Sequence, residues 1–292
     1  MMRTVEEEKK ILANDNKNNQ HIRIRLQGID APELHYRASK GNVFLYEDQF
    51  SRFKSLNELF EFRQHYGARA AKELVILLNT YSMSDNNQKY VNAYAFSSID
   101  QPSELFDRYG RTVSDIVIYK DNEENGINLN QWLVQEGWAF PDFYDSMSND
   151  EISILMEKSK EAVDAQKGIR PHYSKELVDF DFNLVFEKEN DDSIIANDSG
   201  LLNLPKFFRK QVDWQIIKKS GNSIKTLKKY ISLRKDACYL LKDFLEKRHC
   251  APKHELSEFV DEDGSMNVDP GSLVNIESDS QIETPNIITS WY

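Results

Sequence analysis

Along the first third of the chain, apolar and polar positions alternate with two different periods. Ile22, Ile24 and Leu26 interleave with Arg23, Arg25 and Gln27, the period-two pattern of a half-buried strand with its arginines on one face. Gly28 and Pro32 end that strand and leave Asp30 and Glu33 three positions apart on a turn. Before it, Ile11 and Leu12 lead into the polar run Asn14 to Asn19, which reads as a hairpin turn. From His65 to Leu78 the spacing of Ala68, Ala70, Ala71, Leu74, Leu77 and Leu78 changes to that of a helix. Ser84 to Gln88 reads as a turn, Tyr90 to Ala95 and Val113 to Tyr119 as strands, and Leu129 to Glu136 as a short helix capped by Gly137. Trp138 to Tyr144 is an aromatic loop. A longer helix is predicted from Asp150, as N-cap, to about Gln166, with Ile152, Leu155, Met156, Ala162 and Val163 on its apolar side. Gly168 and Pro171 stop it.

Two stretches interrupt or follow this alternation. Residues 34–64 form an aromatic-rich insertion, either a lid or a cover over the core, with a short helix at Leu56 to Phe62. Residues 173–200 form an acidic extension or linker with an apolar island at Phe180 to Phe186. Residues 201–250 then reverse the sign of charge in a helical pattern: Pro205 opens one helix, Gly221 closes it, Ser223 caps a second, and Asp236 to Lys247 makes a third that packs through Tyr239, Leu240, Leu241, Phe244 and Leu245. Residues 251–292, acidic and rich in small polar residues, are expected to be disordered.

Composition narrows the function classes. The 292 residues suffice for one substantial core with an appendage, and 40% hydrophobic content excludes a wholly disordered chain. Mean hydropathy of −0.63 and 29% charged residues place much of the chain in solvent. Cys238 and Cys250 lack the paired spacing of a structural zinc site, so a reducing compartment fits. There is no long apolar run to span a membrane, and the acidic Glu6 to Glu8 near the start is unlike a signal peptide, so a cytoplasmic location is expected. A net charge of −11 and a pI near 5.1 exclude a protein that coats nucleic acid over its whole surface; any phosphate site must be a local basic patch.

The chemistry centres on the strand end. A guanidinium there and two carboxylates on the adjoining turn are the groups that hold a hard divalent cation beside a phosphate. Downstream, Gly110 in Asp107-Arg108-Tyr109-Gly110-Arg111 allows a tight turn from which Arg111 projects. The ordered set Ile-Arg-Leu-Gln-Gly-Ile-Asp-Ala-Pro-Glu, Tyr66-Gly-Ala-Arg-Ala-Ala-Lys-Glu-Leu, Asp-Arg-Tyr-Gly-Arg-Thr, Asn128-Leu-Asn-Gln-Trp-Leu-Val-Gln-Glu-Gly137 and Ala165-Gln-Lys-Gly resembles the thermonuclease, or staphylococcal-nuclease-like, family over about residues 4–172.

The resemblance implies an α+β fold: an OB-fold-type five-stranded β-barrel with three helices in residues 1–172, here followed by the basic helical C-terminal region. It implies a calcium-dependent nuclease (Ca2+ cofactor) that hydrolyses phosphodiester bonds of DNA or RNA. Arg25 and Arg111 match the family's catalytic arginines, which clamp the scissile phosphate and stabilise the charge of the transition state. Glu33 matches the residue that orients or deprotonates the attacking water, Asp30 a calcium ligand, and Ala31 a ligand through its backbone carbonyl. Arg108 and Tyr109 match positions near the terminal phosphate and sugar, and Phe143 or Tyr144 would line the nucleotide pocket by stacking or, equally, fill the core.

One departure matters: the family's Asp-Gly-Asp-Thr motif is reduced to Thr4-Val5, with Arg3 where a calcium-ligand aspartate belongs. Three readings stand: the true start lies upstream, Asp15 or one of Glu6 to Glu8 substitutes, or the domain is catalytically weak. An active enzyme with a shortened start is the favoured expectation. The alternative is a nucleic-acid-binding module that keeps the arginines and lacks the aspartate, with the basic helices of 201–250 assisting either reading.

Overall fold

The computed structural model describes residues 22–38, 61–85, 88–98, 105–107, 110–120, 126–176, 179, 181–186, 195, 198–219 and 224–276. The first arm and turn of the expected N-terminal hairpin, residues 56–60 of the expected short helix, the acids at Glu6 to Glu8 and Asp15, Arg3, Gly221 and Ser223 lie outside the described residues. The end of that expected helix is extended instead, because Phe62 bridges Tyr36 on one side and Val185 on the other.

In chain order the strands are β1 (Ile24–Leu26), β2 (Ile29–Asp30), β3 (Met83–Asp85), β4 (Gln88–Tyr90), β5 (Asn92–Phe96), β6 (Thr112–Tyr119), β7 (Ile127–Asn128), β8 (Phe140–Pro141), β9 (Phe143–Tyr144), β10 (Ala237–Leu240), β11 (His254–Glu255) and β12 (Leu273–Asn275). The helices are α1 (Gly67–Thr80), α2 (Leu129–Gln135), α3 (Asn149–Asp164), α4 (Pro205–Lys219), α5 (Leu227–Arg234) and α6 (Leu241–Lys247). The class is α+β, as expected. Among the described residues no sheet closes into a barrel: β1, β6 and β5 lie side by side with β7 on β6, while β2–β8 and β3–β4 are separate two-stranded ladders.

Most elements of the first 170 residues follow their sequence pattern. Asn130 is fully buried between the strands and donates to the carbonyls of Gln27 (2.9 Å) and Ser114 (3.3 Å), which ties β1 to β6. Ser84 and Gln88, expected as a turn, fall within the β3–β4 hairpin instead. The aromatic loop at 138–144 is two short strands, because Asp142 N–H donates to the Gly28 carbonyl and β8 pairs with β2. The N-cap of α3 is Ser148 rather than Asp150: its hydroxyl accepts the Glu151 N–H while the Glu151 carboxylate accepts the Ser148 N–H, a capping box. Asp150 sits in the first turn, where the helix dipole favours an acid.

The C-terminal third departs further. Asp236 to Lys247 is not one helix, because Lys235 turns left-handed (φ 53°) and Ala237–Leu240 becomes β10, paired with β11 on one side and β12 on the other. Residues 251–276, expected within the disordered tail, carry β11, β12 and two short 3-10 turns between them, and Leu256, Val260, Leu273 and Val274 among the acids are buried. β12 pairs in parallel with β9, so a single sheet, β11-β10-β12-β9, joins a strand from the middle of the chain to three from its C-terminal third. Accordingly Ile29, Leu133, Val134, Phe143, Ile152 and Leu155 share one core with Tyr239, Leu241, Phe244 and Val274.

Candidate functional site

The turn that carries Asp30 and Glu33 is fixed from three sides. Gly28 has φ +70°, and a Cβ there would lie 2.7 Å from both Leu155 Cδ1 and Met147 Cε, so only glycine lets β1 turn into β2 against the core. Pairing of β2 with β8 sets Asp30 opposite Phe140. Gln64, buried, then holds Glu33 at both backbone groups: its N–H donates to the Glu33 carbonyl (2.7 Å) and its side-chain oxygen accepts the Glu33 N–H (3.1 Å). Gly67, the first residue of α1, backs against the same carbonyl, where a Cβ would come within 2.6 Å.

Around this turn the charged groups form two neighbouring clusters. Arg25, from β1, donates to the Tyr144 hydroxyl and lies over the Tyr144 ring, 4.6 Å from its centroid. Tyr144 donates in turn to Asp142 (2.7 Å), whose other oxygen accepts from Asn275 of β12 (2.7 Å). Burial and the charge of Asp142 push the Tyr144 phenol well above its ordinary range, so it is a hydrogen-bond donor at neutral pH. On α4, Lys206 lies 5.1 Å from the Tyr144 ring centroid, and burial lowers its ammonium from the ordinary value.

The strongest contact at the turn comes from Arg209, also on α4. Its two terminal nitrogens fork onto Asp30, 3.0 Å and 2.8 Å from the two carboxylate oxygens, and one of them also reaches Glu33 at 2.5 Å. Burial alone would lower the Arg209 pKa, yet Asp30 and Glu33 raise it well above the ordinary value, so the guanidinium is charged. Burial presses Asp30 toward its neutral form, reinforced by the neighbouring Asp142 and Glu33, and the Arg209 fork opposes this.

Arg111 is held separately. Asp107, almost fully buried, accepts from the Arg111 backbone N–H (3.0 Å) and from its side chain at Nε (2.7 Å). The register pairs Arg25 with Val113, which places Arg111 two residues earlier, a diagonal step away by strand alternation. Ala31 is exposed at the turn. Phe143 is 2% exposed and belongs to the core, which closes its ring to stacking; the expected role in a nucleotide pocket does not fit this burial. Tyr144 has cations over its ring, so a stacking base would have to displace Arg25 or Lys206. Arg108 and Tyr109 lie outside the described residues. Among the described residues, no group of three or more His, Cys, Asp and Glu side chains is arranged to hold a metal ion.

Arg209, Lys206, Asp142 and Gln64 were not singled out as site residues by the sequence. The two cations lie in a basic run that the sequence reads equally as a module for nucleic-acid backbone or as a solvated helical face, and nothing in spacing relates residue 209 to residue 30. Several charges of that run point inward: besides Lys206 and Arg209, Lys210 binds Asp236, and Arg248 donates to the Met147 carbonyl (2.7 Å) and to Asn149 (2.9 Å). Lys225 and Lys229 remain exposed.

Compared with known proteins, the chain matches the family described as staphylococcal nuclease homologue over residues 23–170, half of its length. No curated protein matches it. Among the described residues, no helix is long and apolar enough to cross a membrane.

Proposed function

Since the chain belongs to the staphylococcal nuclease family, we propose that it is a metal-dependent nuclease that hydrolyses phosphodiester bonds of DNA or RNA. Arg25, Glu33 and Arg111 are its reacting groups, and Asp30 with the Ala31 carbonyl its cation ligands. The observation that carries this reading is that Asp30 and Glu33 lie close enough for one guanidinium to hold both. A positive charge is therefore already accommodated between two oxygen-only acids, the donor chemistry that suits calcium. Bound there, calcium would supply neutralisation of phosphate charge and acidify an adjacent water.

The chain's own residues account for the remaining chemistry. Arg25 is poised by Tyr144, which in turn is fixed by Asp142, so its fork is presented with little freedom to lose on binding phosphate. Arg111, braced by Asp107, offers a second set of donors to the oxygens that gain charge in the pentacoordinate transition state. Glu33, locked at its backbone by Gln64, is the carboxylate that orients the attacking water or takes its proton. The expected result is that Arg25→Ala, Glu33→Ala and Arg111→Ala each reduce cleavage of single-stranded DNA or RNA by about 100-fold or more with unchanged circular dichroism. A chelator should abolish cleavage by the unaltered chain.

A second reading, a nucleic-acid-binding module without turnover, is favoured by one observation: Arg209 already satisfies both carboxylates. Salt-sensitive binding with no cleavage at any calcium concentration, in the unaltered chain and in Arg209→Met alike, selects it.

A further inference from the structure

We propose that Arg209 and the divalent cation compete for the same carboxylates, so that α4 carries a built-in antagonist of metal binding. The inference rests on the reading of Asp30 and Glu33 as cation-facing acids and adds a control over them.

Three features make Arg209 a competitor rather than a staple of the fold. The Asp30–Glu33 turn does not depend on it, being held by the β2–β8 pairing, by Gln64 and by the close approach of Gly67. The helix that presents it does not depend on the carboxylates either: Phe207, Phe208, Val212, Trp214, Ile216 and Ile217 of α4 are buried in their own apolar clusters. And the Arg209 side chain retains 28% of its exposure, so it has a route to solvent by rotation while α4 stays docked. A guanidinium and a divalent cation cannot share these oxygens, because the fork already occupies both oxygens of Asp30 and one of Glu33.

The consequence is a metal affinity set by how often Arg209 leaves. Where only a fraction of molecules has the site free, the apparent dissociation constant rises by the inverse of that fraction; an opening in about one molecule in a hundred weakens binding about 100-fold. Nucleic-acid phosphate is itself a bidentate acceptor for arginine, so a substrate strand reaching Arg209 would draw it from the carboxylates.

The test is calcium binding by the full chain, measured calorimetrically and by displacement of terbium luminescence, in the unaltered protein, Arg209→Met and the double variant Arg209→Met with Asp30→Asn. Competition predicts that Arg209→Met binds calcium at least about tenfold more tightly than the unaltered chain and that the double variant loses that gain. Affinities equal within twofold overturn the proposal, as does a gain that survives Asp30→Asn. If Arg209→Met does not give a cooperative melt, Arg209→Lys carries the comparison, since it keeps the stem and charge but loses the fork, and a gain there is expected and its absence overturns the idea. Nuclease activity is scored separately: tighter calcium binding without cleavage leaves the competition intact and sinks only the hydrolytic reading.

Discussion

Asp198 shows how much a single residue organises where the sequence marks nothing. Its carboxylate, 1% exposed, accepts from the Tyr66 N–H (2.6 Å), from Arg63 (3.3 Å) and from His65, and so joins the extension after the nuclease-like region to the start of α1. Burial would raise its pKa, but the hydrogen bonds from His65 and Tyr66 and the neighbouring charges prevail and hold it below the ordinary 3.8. The sign follows: the unfolded chain takes up the proton first on acidification, so the stabilisation is present above that ordinary value and is lost as pH falls through the lower, folded one. Asp198→Asn should cost about 2 kcal/mol at neutral pH. Urea denaturation at pH 7 and pH 3 checks this, and a deficit that does not shrink in acid contradicts it. At the same scale, the sequence pointed to Arg25, Asp30, Glu33 and Arg111 because strand alternation and turn residues expose them locally. It missed Gln64 and Arg209, since each acts on residues far away in the chain.

Elements were legible where a local pattern decides them. α1, α2 and α3 follow from helical spacing, and β5 and β6 from β-branched and aromatic runs, with boundaries moved by the caps. The Ser148 capping box is one such boundary, and Ser148→Ala should lower stability by about 1 kcal/mol through the loss of one N-terminal acceptor. A thermal melt compared with Asp150→Ala separates the two cap assignments, because only the true cap shows the full loss. β10 was not legible. Ala-Cys-Tyr-Leu continues smoothly into the helical pattern of α6, and only the flanking partners β11 and β12 make an extended segment better than another helical turn.

At the scale of the whole molecule, residues before 156 and after 236 share a core and a sheet. Tyr239, Leu241, Phe244, Ala251 and Val274 are buried against Ile29, Leu133, Phe143 and Ile152, so residues after 200 complete the hydrophobic interior of the family region. Burying five such side chains is worth on the order of 10 kcal/mol, the size of an entire domain's stability. A fragment ending at residue 200 is therefore expected to lose its cooperative thermal transition and to bind a hydrophobic dye, whereas a sharp melt like that of the full chain would show two independent units. What the sequence by itself determined is the family, the α+β class and the position of the acidic turn beside Arg25, because periodicity, turn chemistry and motif order are local properties of the chain. Tertiary structure alone decided that β9 continues into C-terminal strands, that Phe143 is core, and that a guanidinium from α4 sits on Asp30 and Glu33. Those outcomes depend on which distant surfaces bury together, and pairing between residues 30 and 209 leaves no periodic trace in either segment.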